Sequence, residues 1–101
     1  MPAVDTVQRD GNVILKINGD FTFDMNREFR HAYQACPKSS TFVVDLANTR
    51  YMDSSGLGML LQLRQYVGED KKRVRIVKAQ PRTAEILKVA QFDSLFDVGE
   101  H

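Results

Sequence analysis

The residues best suited to chemistry in this 101-residue chain form one short run, Asp53-Ser54-Ser55, which is followed by Gly56. Carboxylate and hydroxyl oxygens cap helices, since they accept hydrogen bonds from the backbone N–H groups that a helix start leaves unpaired. The same N–H groups and the helix dipole also favour a bound anion. The run therefore predicts a helix start that is capped by its own side chains or that carries a phosphate, and the residue types alone favour capping.

A predicted strand precedes this run and a predicted helix follows it. Residues 41–47 are rich in β-branched and aromatic side chains, whereas residues 55–67 are apolar at helical spacing. Ser55 is the predicted cap of this helix. The turn between strand and helix then presents Asp53 and Ser54 at the surface.

Helical geometry assigns the side chains of this helix to two faces. The predicted buried arc consists of Leu57, Leu60, Leu61, Leu63 and Val67. The positions predicted to face outward or to lie at the margin of the arc include Gly58, Met59, Gln62 and Tyr66. Arg64 falls inside the arc, where its long side chain can still reach solvent near the helix end.

Four further strands and two further helices are predicted around this unit. The predicted strands cover residues 4–7, 12–18, 41–47, 74–79 and 95–98, with Asp10-Gly11 as the turn of an antiparallel hairpin. The order is β-β-α-β-α-β-α-β. Because strands and helices alternate after the hairpin, right-handed crossovers and a mainly parallel sheet are expected.

The two other helices carry their own sequence signals. The first has Thr22 or Asp24 as its predicted cap, keeps apolar residues at helical spacing from Met25 onward and ends at Pro37. The last begins at Pro81, which suits the first helical position. Its predicted apolar positions are Ala84, Leu87, Val89 and Ala90.

Length and composition indicate one globular domain over residues 1–101, expected to be a monomer when free. The formal net charge of +1 gives no overall electrostatic attraction to nucleic acid or to an anionic membrane. The basic run Lys71-Lys72-Arg73 is interpreted as a solvated loop end, with phosphate or an acidic surface as its alternative ligand. No apolar run reaches the roughly 20 residues that a membrane span needs, so a cytoplasmic protein is expected.

Enzyme chemistry has little support in the sequence. The chain lacks a Gly-x-Ser-x-Gly elbow, a phosphate loop with its lysine and paired metal ligands, so neither cofactor nor metal is expected. Its histidines are His31, on the polar side of the first helix, and the terminal His101. Cys36, the single cysteine, excludes an internal disulfide and is expected to pack as a small apolar residue.

The run Tyr51-Met52-Asp53-Ser54-Ser55-Gly56-Leu57-Gly58, set after the predicted strand, resembles the signature of STAS domains, specifically the bacterial anti-sigma factor antagonists. The segment from Ile86 to Val98 resembles the last helix and strand of that family. The resemblance implies an α/β fold in which the helices pack mostly on one face of a mainly parallel mixed sheet.

The resemblance also implies a function. Family members are phosphorylated on the hydroxyl residue directly after the Asp of the motif, which is Ser54 here, with Ser55 as the alternate acceptor. The unmodified protein binds an anti-sigma factor or a serine kinase of the histidine-kinase-like fold, and a PPM-type phosphatase reverses the modification. The predicted partner-binding residues are Thr22, Asp24, Asp53, Ser55, Gly56, Gly58, Met59, Gln62 and Tyr66.

Two points stay open. The family often has an Asp three residues after the glycine at Gly19, where this chain has Thr22, so that Thr22 and Asp24 are alternatives for its role. A STAS subunit that only scaffolds a transporter or a signalling assembly is the alternative function. The intact Asp-Ser-Ser-Gly run favours the switch over the scaffold.

Overall fold

A five-stranded mixed sheet forms the centre of the protein. The computed structural model describes residues 3–99, which leaves His101 outside the described range. The strands are β1 (Val4–Arg9), β2 (Asn12–Asn18), β3 (Thr41–Asn48), β4 (Val74–Val77) and β5 (Asp97–Val98). They lie side by side in chain order; β1 and β2 are antiparallel, and every later neighbour is parallel.

Three helices connect the parallel strands: α1 (Asn26–Gln34), α2 (Ser54–Tyr66) and α3 (Pro81–Val89). Because each right-handed crossover moves one strand further in the same direction, all three helices fall on the same face of the sheet. Along β2, Leu15 and Ile17 on the helix side are fully buried, whereas Ile14 on the other side is 39% exposed. The predicted α/β fold and element order are confirmed.

The β1–β2 hairpin turns through Asp10 and Gly11, whose φ angles are 53° and 81°. Positive φ at both central residues is the mark of a type I′ turn, which matches the twist of the two strands it joins. The hairpin register therefore follows from the turn, and it pairs Arg9 with Asn12 and Val4 with Ile17.

The start of the first helix differs from its prediction. Phe23–Met25 form one turn of 3-10 helix before α1, and Thr22 precedes that turn without a capping bond from its side chain. The Thr22 backbone carbonyl accepts from the Met25 N–H at 3.0 Å, and Asp24 lies exposed within the turn. Side-chain capping by Thr22 or Asp24 is therefore wrong. The helix also ends at Gln34, before Pro37.

The residues of the basic run Lys71-Lys72-Arg73, which precedes β4, have different roles. The Arg73 guanidinium donates to the backbone carbonyls of Lys38, of Ser40 at 3.0 Å and of Val67 at 3.3 Å. It thereby ties the end of α2 to the segment that enters β3, since it satisfies carbonyls that helix and strand ends leave unpaired. Lys71 and Lys72 are exposed.

Candidate functional site

Two loops at the carboxyl ends of β2 and β3 form the base of the site. The Phe21 N–H donates to the Tyr51 carbonyl at 2.9 Å, and Phe21 forms an isolated parallel bridge with Met52. The Phe21 side chain is fully buried and that of Met52 is 2% exposed. This backbone pairing fixes the loop before α1 against the loop before α2.

Gly56 rests directly on that bridge. A Cβ atom at Gly56 would lie 2.5 Å from the Met52 Cγ and 2.5 Å from the Phe21 carbonyl oxygen. Real Cβ atoms do not approach other heavy atoms this closely, so only glycine lets the first turn of α2 contact the loops. Gly56 is buried, and its predicted contact with a partner is wrong.

Asp53 caps α2. It adopts an extended conformation, with φ of −107° and ψ of −171°, and its Oδ1 accepts from the Gly56 N–H at 3.1 Å. The prediction that Ser55 is the cap is therefore wrong. Because the Asp53 carboxylate caps the helix, neither serine hydroxyl is needed for capping.

Ser54 is the first residue of α2 and is exposed, whereas Ser55 is partly buried. Among residues 3–99, neither serine side chain has a hydrogen-bond partner. Thr49, the other hydroxyl close to this turn in sequence, is fully buried and donates to the Ile17 carbonyl at 3.2 Å. Ser54 is thus the hydroxyl of this region that an approaching protein can reach most readily.

Gly58 and Gln62 lie on the outer face of α2, as predicted. A Cβ atom at Gly58 would have open space around it, and Gln62 is exposed. Leu61 was assigned to the buried arc, but it is 38% exposed and lies on this outer side. With Ser54, these residues form one stripe at helical spacing, which we call the outer face of α2 (Ser54, Gly58, Leu61 and Gln62).

Met59 and Tyr66, which were both predicted to contact a partner, differ in how far they are buried. Met59 is 3% exposed and packs in the core. Tyr66 lies at the far end of α2, where its hydroxyl donates to the Cys36 carbonyl at 2.7 Å and its ring packs 5.1 Å from that of Tyr33. Burial raises the pKa of Tyr33 above its usual 10.0, with the nearby Arg30 opposing the shift. The assignment of Met59 to partner contact is wrong, whereas that of Tyr66, which is only half-buried, stays a prediction.

The loop that carries Thr22 and Asp24 adjoins the first turn of α2 through Phe21. In the described part of the chain, no hydrogen bond joins either side chain to Asp53 or Ser54. Their contact with a partner stays a prediction. Between them, Phe23 is 70% exposed and presents a large apolar side chain at the surface of this loop.

A shallow groove of about 520 Å³ lies between the first turn of α2 and α3. Its lining is mainly apolar and comprises Tyr51, Leu57, Arg82, Glu85, Ile86, Val89 and Ala90. Val89 was predicted to pack inward but is 78% exposed, since it follows the buried Leu87 by two residues and so faces the opposite way. The groove adds apolar surface beside Ser54.

Residues 3–99 contain neither a metal-ligand cluster nor a membrane-spanning helix. No cluster of three or more His, Cys, Asp or Glu side chains in that range could hold a metal ion. None of the helices described there has the length and apolar character to cross a membrane.

Comparison with known proteins gives close agreement in fold. SpoIIAA, an anti-sigma factor antagonist, superposes in its unphosphorylated form with a TM-score of 0.65 at 16% identity, over 85% of this chain and 82% of SpoIIAA. The phosphorylated Bacillus SpoIIAA gives 0.67 at 14% identity, over 98% and 91%. A sulfate transporter family protein from Wolinella succinogenes gives 0.73 at 18% identity, over 91% and 81%.

Sequence comparison goes further than the fold. A STAS-domain containing protein of Pseudomonas aeruginosa is 36% identical over 85 residues, which cover 83% of this chain and 84% of that protein. The family model described as "Mlab, STAS domain" matches residues 4–97, nearly all of the described chain. With the sheet order, the Asp53 cap and the exposed Ser54, these matches show that the chain belongs to the STAS domain family.

Proposed function

We propose that this protein is a phosphorylation-controlled protein-binding switch that acts as an anti-sigma factor antagonist in the cytoplasm. The unphosphorylated form binds an anti-sigma factor or a serine kinase of the histidine-kinase-like fold. Phosphorylation of Ser54 releases that partner, and a PPM-type serine phosphatase restores binding. The protein acts by binding alone, without catalysis or a cofactor.

The observation that carries this proposal is that Asp53 and Ser54 have different roles at the start of α2. Asp53 supplies the helix cap through its bond to the Gly56 N–H, while the Ser54 hydroxyl stays exposed and unbonded within residues 3–99. A kinase can therefore modify Ser54 without removing a hydrogen bond that holds the fold. Ser55, which is partly buried, is the alternate acceptor.

The release step follows from charge and desolvation. A phosphate adds roughly −1.5 to −2 charges beside the Asp53 carboxylate. The outer face of α2 presents a glycine and an exposed leucine there, so a partner that covers it would have to desolvate two adjacent anions. Burying unpaired charge at an interface costs several kcal/mol, and binding is lost.

Affinity capture from cell extract tests this mechanism, with identification of the retained proteins by mass spectrometry. Ser54→Ala is expected to retain an anti-sigma factor or serine kinase that Ser54→Asp does not retain. Ser55→Ala is the matched control and should behave as the wild type. Gly58→Arg in the Ser54→Ala background should lose the partner while its melting temperature stays nearly unchanged, because the position is open.

A parallel reaction assigns the acceptor. The wild type is incubated with the captured kinase and ATP, and its peptides are mapped by mass spectrometry. Phosphate mainly on Ser55 would contradict the assignment to Ser54. Binding that survives Gly58→Arg at unchanged affinity would exclude the outer face of α2 as the interface.

The second candidate is a scaffold subunit that does not switch. The likeness to the sulfate transporter family protein favours it. A scaffold predicts that Ser54→Ala and Ser54→Asp capture the same partners equally well. The same capture experiment therefore separates the two functions.

A further inference from the structure

The two edges of the sheet are very different in length. β5 offers two residues, and its Asp97 pairs with Arg75 on the neighbouring strand at 3.7 Å. β1 offers six residues, Val4–Arg9, that pair with β2 in an unbroken register with no proline and no bulge. A long, regular edge strand is a template for another strand unless something covers it. The exposed edge of β1 is therefore suited to pairing with a strand of another chain.

The hairpin register determines which backbone groups of β1 are free. In a hairpin with a two-residue turn, Arg9 and Asn12 exchange backbone bonds, and the direction then alternates along the strand. The N–H and C=O groups of Val4, Thr6 and Gln8 consequently point away from β2. The Val4 N–H confirms this direction, because it donates outward to the Glu28 carboxylate of α1 at 3.1 Å. Thr6 and Gln8 are exposed.

We propose that the occupant is β1 of a second copy of this chain, paired antiparallel with Val7 opposite Val7. The segment Asp5-Thr6-Val7-Gln8-Arg9 is self-complementary in that register. Asp5 then lies opposite Arg9 of the second copy at both ends, and Thr6 lies opposite Gln8 of the second copy. Oppositely charged pairs directly across antiparallel strands are favourable, and the Asp5 carboxylate, whose Oδ2 accepts from the Asn18 amide at 2.9 Å, still has its Oδ1 for Arg9.

The free backbone groups select the same register independently. With Val7 opposite Val7, Thr6 of each copy lies opposite Gln8 of the other copy. Each of these two pairs exchanges two backbone N–H···O=C bonds, which makes four, and Val4 keeps its bond to Glu28. A shift that sets Thr6 opposite Thr6 would require the Val4 N–H, which is already bonded, and would place Asp5 opposite Val7. The charged side chains and the free backbone groups thus favour the same register.

The pairing also covers exposed apolar surface. Val7 is 48% exposed and lies beside Ile14 on the open face of the sheet. In the dimer, the two Val7 side chains meet between the two Ile14 side chains and form one continuous apolar row. The interface is small, so the dimer is weak and forms with rising concentration, in place of the monomer expected from the sequence. β2 and β3 separate it from the start of α2, so each copy keeps its Ser54 free.

Charge exchange across the proposed pair provides the test, with sedimentation velocity over about 10 µM to 1 mM as the measurement. Wild type is expected to shift from monomer to dimer over this range. Asp5→Arg and Arg9→Asp each place like charges opposite at both ends, so each alone should weaken self-association by about tenfold or more. An equimolar mixture of the two variants restores both opposite pairs and should regain dimers near the wild-type level.

The mixture is its own folding control, since unfolded chains could not regain association. Amide hydrogen exchange supplies a residue-level readout: protection of Thr6 and Gln8 should rise with concentration, and that of Val7, already bonded within the hairpin, should not. A wild type that stays monomeric throughout the range overturns the proposal. Dimers that both single variants form as readily as wild type also overturn it, because they would use another surface.

Discussion

Gly56 and Gly58 lie two residues apart on α2, on opposite faces of the helix, and they differ in what they permit. At Gly56, a Cβ atom would lie 2.5 Å from both the Met52 Cγ and the Phe21 carbonyl oxygen, whereas a Cβ atom at Gly58 would meet nothing within 4 Å. The inner face of the first turn fixes where the helix starts. The outer face is free of such constraints, so its composition can be set by what it binds.

One motif therefore meets two separate needs. Gly56 and Asp53 position the helix start, one by close approach and the other by capping. Ser54 and Gly58 take no part in that structure, although they lie beside residues that do. The following changes test the separation, in order of their expected effect on the free energy of unfolding.

Replacing Gly56 by Ala is expected to have the largest effect. The new Cβ would displace a backbone carbonyl and the Met52 side chain, and overpacking of this kind typically costs about 1–3 kcal/mol. Urea unfolding should show a loss of about 2 kcal/mol, after helix propensity offsets part of the strain. Gly58→Ala is the matched control and should stabilise by roughly 0.5–1 kcal/mol, since Ala is the better helix former. Equal effects at both positions would refute the difference between the faces.

Replacing Asp53 by Ala is expected to cost about 1 kcal/mol, because the Gly56 N–H loses its acceptor at the helix start. Asp53→Asn should retain most of the stability, since an amide oxygen also caps. Ser55→Ala should have little effect in the same urea titration. If Asp53→Ala left the free energy of unfolding unchanged and Ser55→Ala lowered it, Ser55 would be the capping residue.

The strands and the position of the site could be predicted because their signals are local. Asp10-Gly11 encodes its turn through two positive φ angles, and the change from strand to helical period places Asp53 and Ser54 at a helix start. The choice among three adjacent capping residues could not be made in the same way. It depends on which side chain the loop geometry aims at the Gly56 N–H.

The faces of the helices were harder to predict, for physical reasons. α2 carries Leu57, Met59, Leu60 and Leu61 in close succession, so it is apolar nearly all round, and periodicity alone does not select Met59 over Leu61 for the core. The close contact of Gly56 with the Phe21–Met52 bridge fixes how the helix is rotated about its axis, and so which side chains face the core. In α3, Thr83 is fully buried because its hydroxyl donates to the Gln80 carbonyl, which a hydropathy pattern does not reveal.

Phosphorylation of Ser54 is expected to change stability least, because two opposing effects meet at the start of α2. The helix dipole and free N–H groups favour an anion there by about 0.3–1 kcal/mol. The Asp53 carboxylate repels it by a comparable screened amount. The phosphorylated protein should therefore keep its free energy of unfolding within about 1 kcal/mol, while its affinity for the partner falls by far more, since an interface would bury unpaired charge.

Amide shift mapping of the two forms tests whether the switch acts by masking the surface or by changing the conformation. Masking predicts shift changes confined to the neighbourhood of Thr22, Asp53 and the first turn of α2. Phe21 and Met52, which form the bridge beneath that turn, are buried, so we expect them to stay in place when the phosphate is added. Changes that spread across the strands and along α3 would instead show that the inner face responds to the charge, and the separation between the two faces of α2 would not hold.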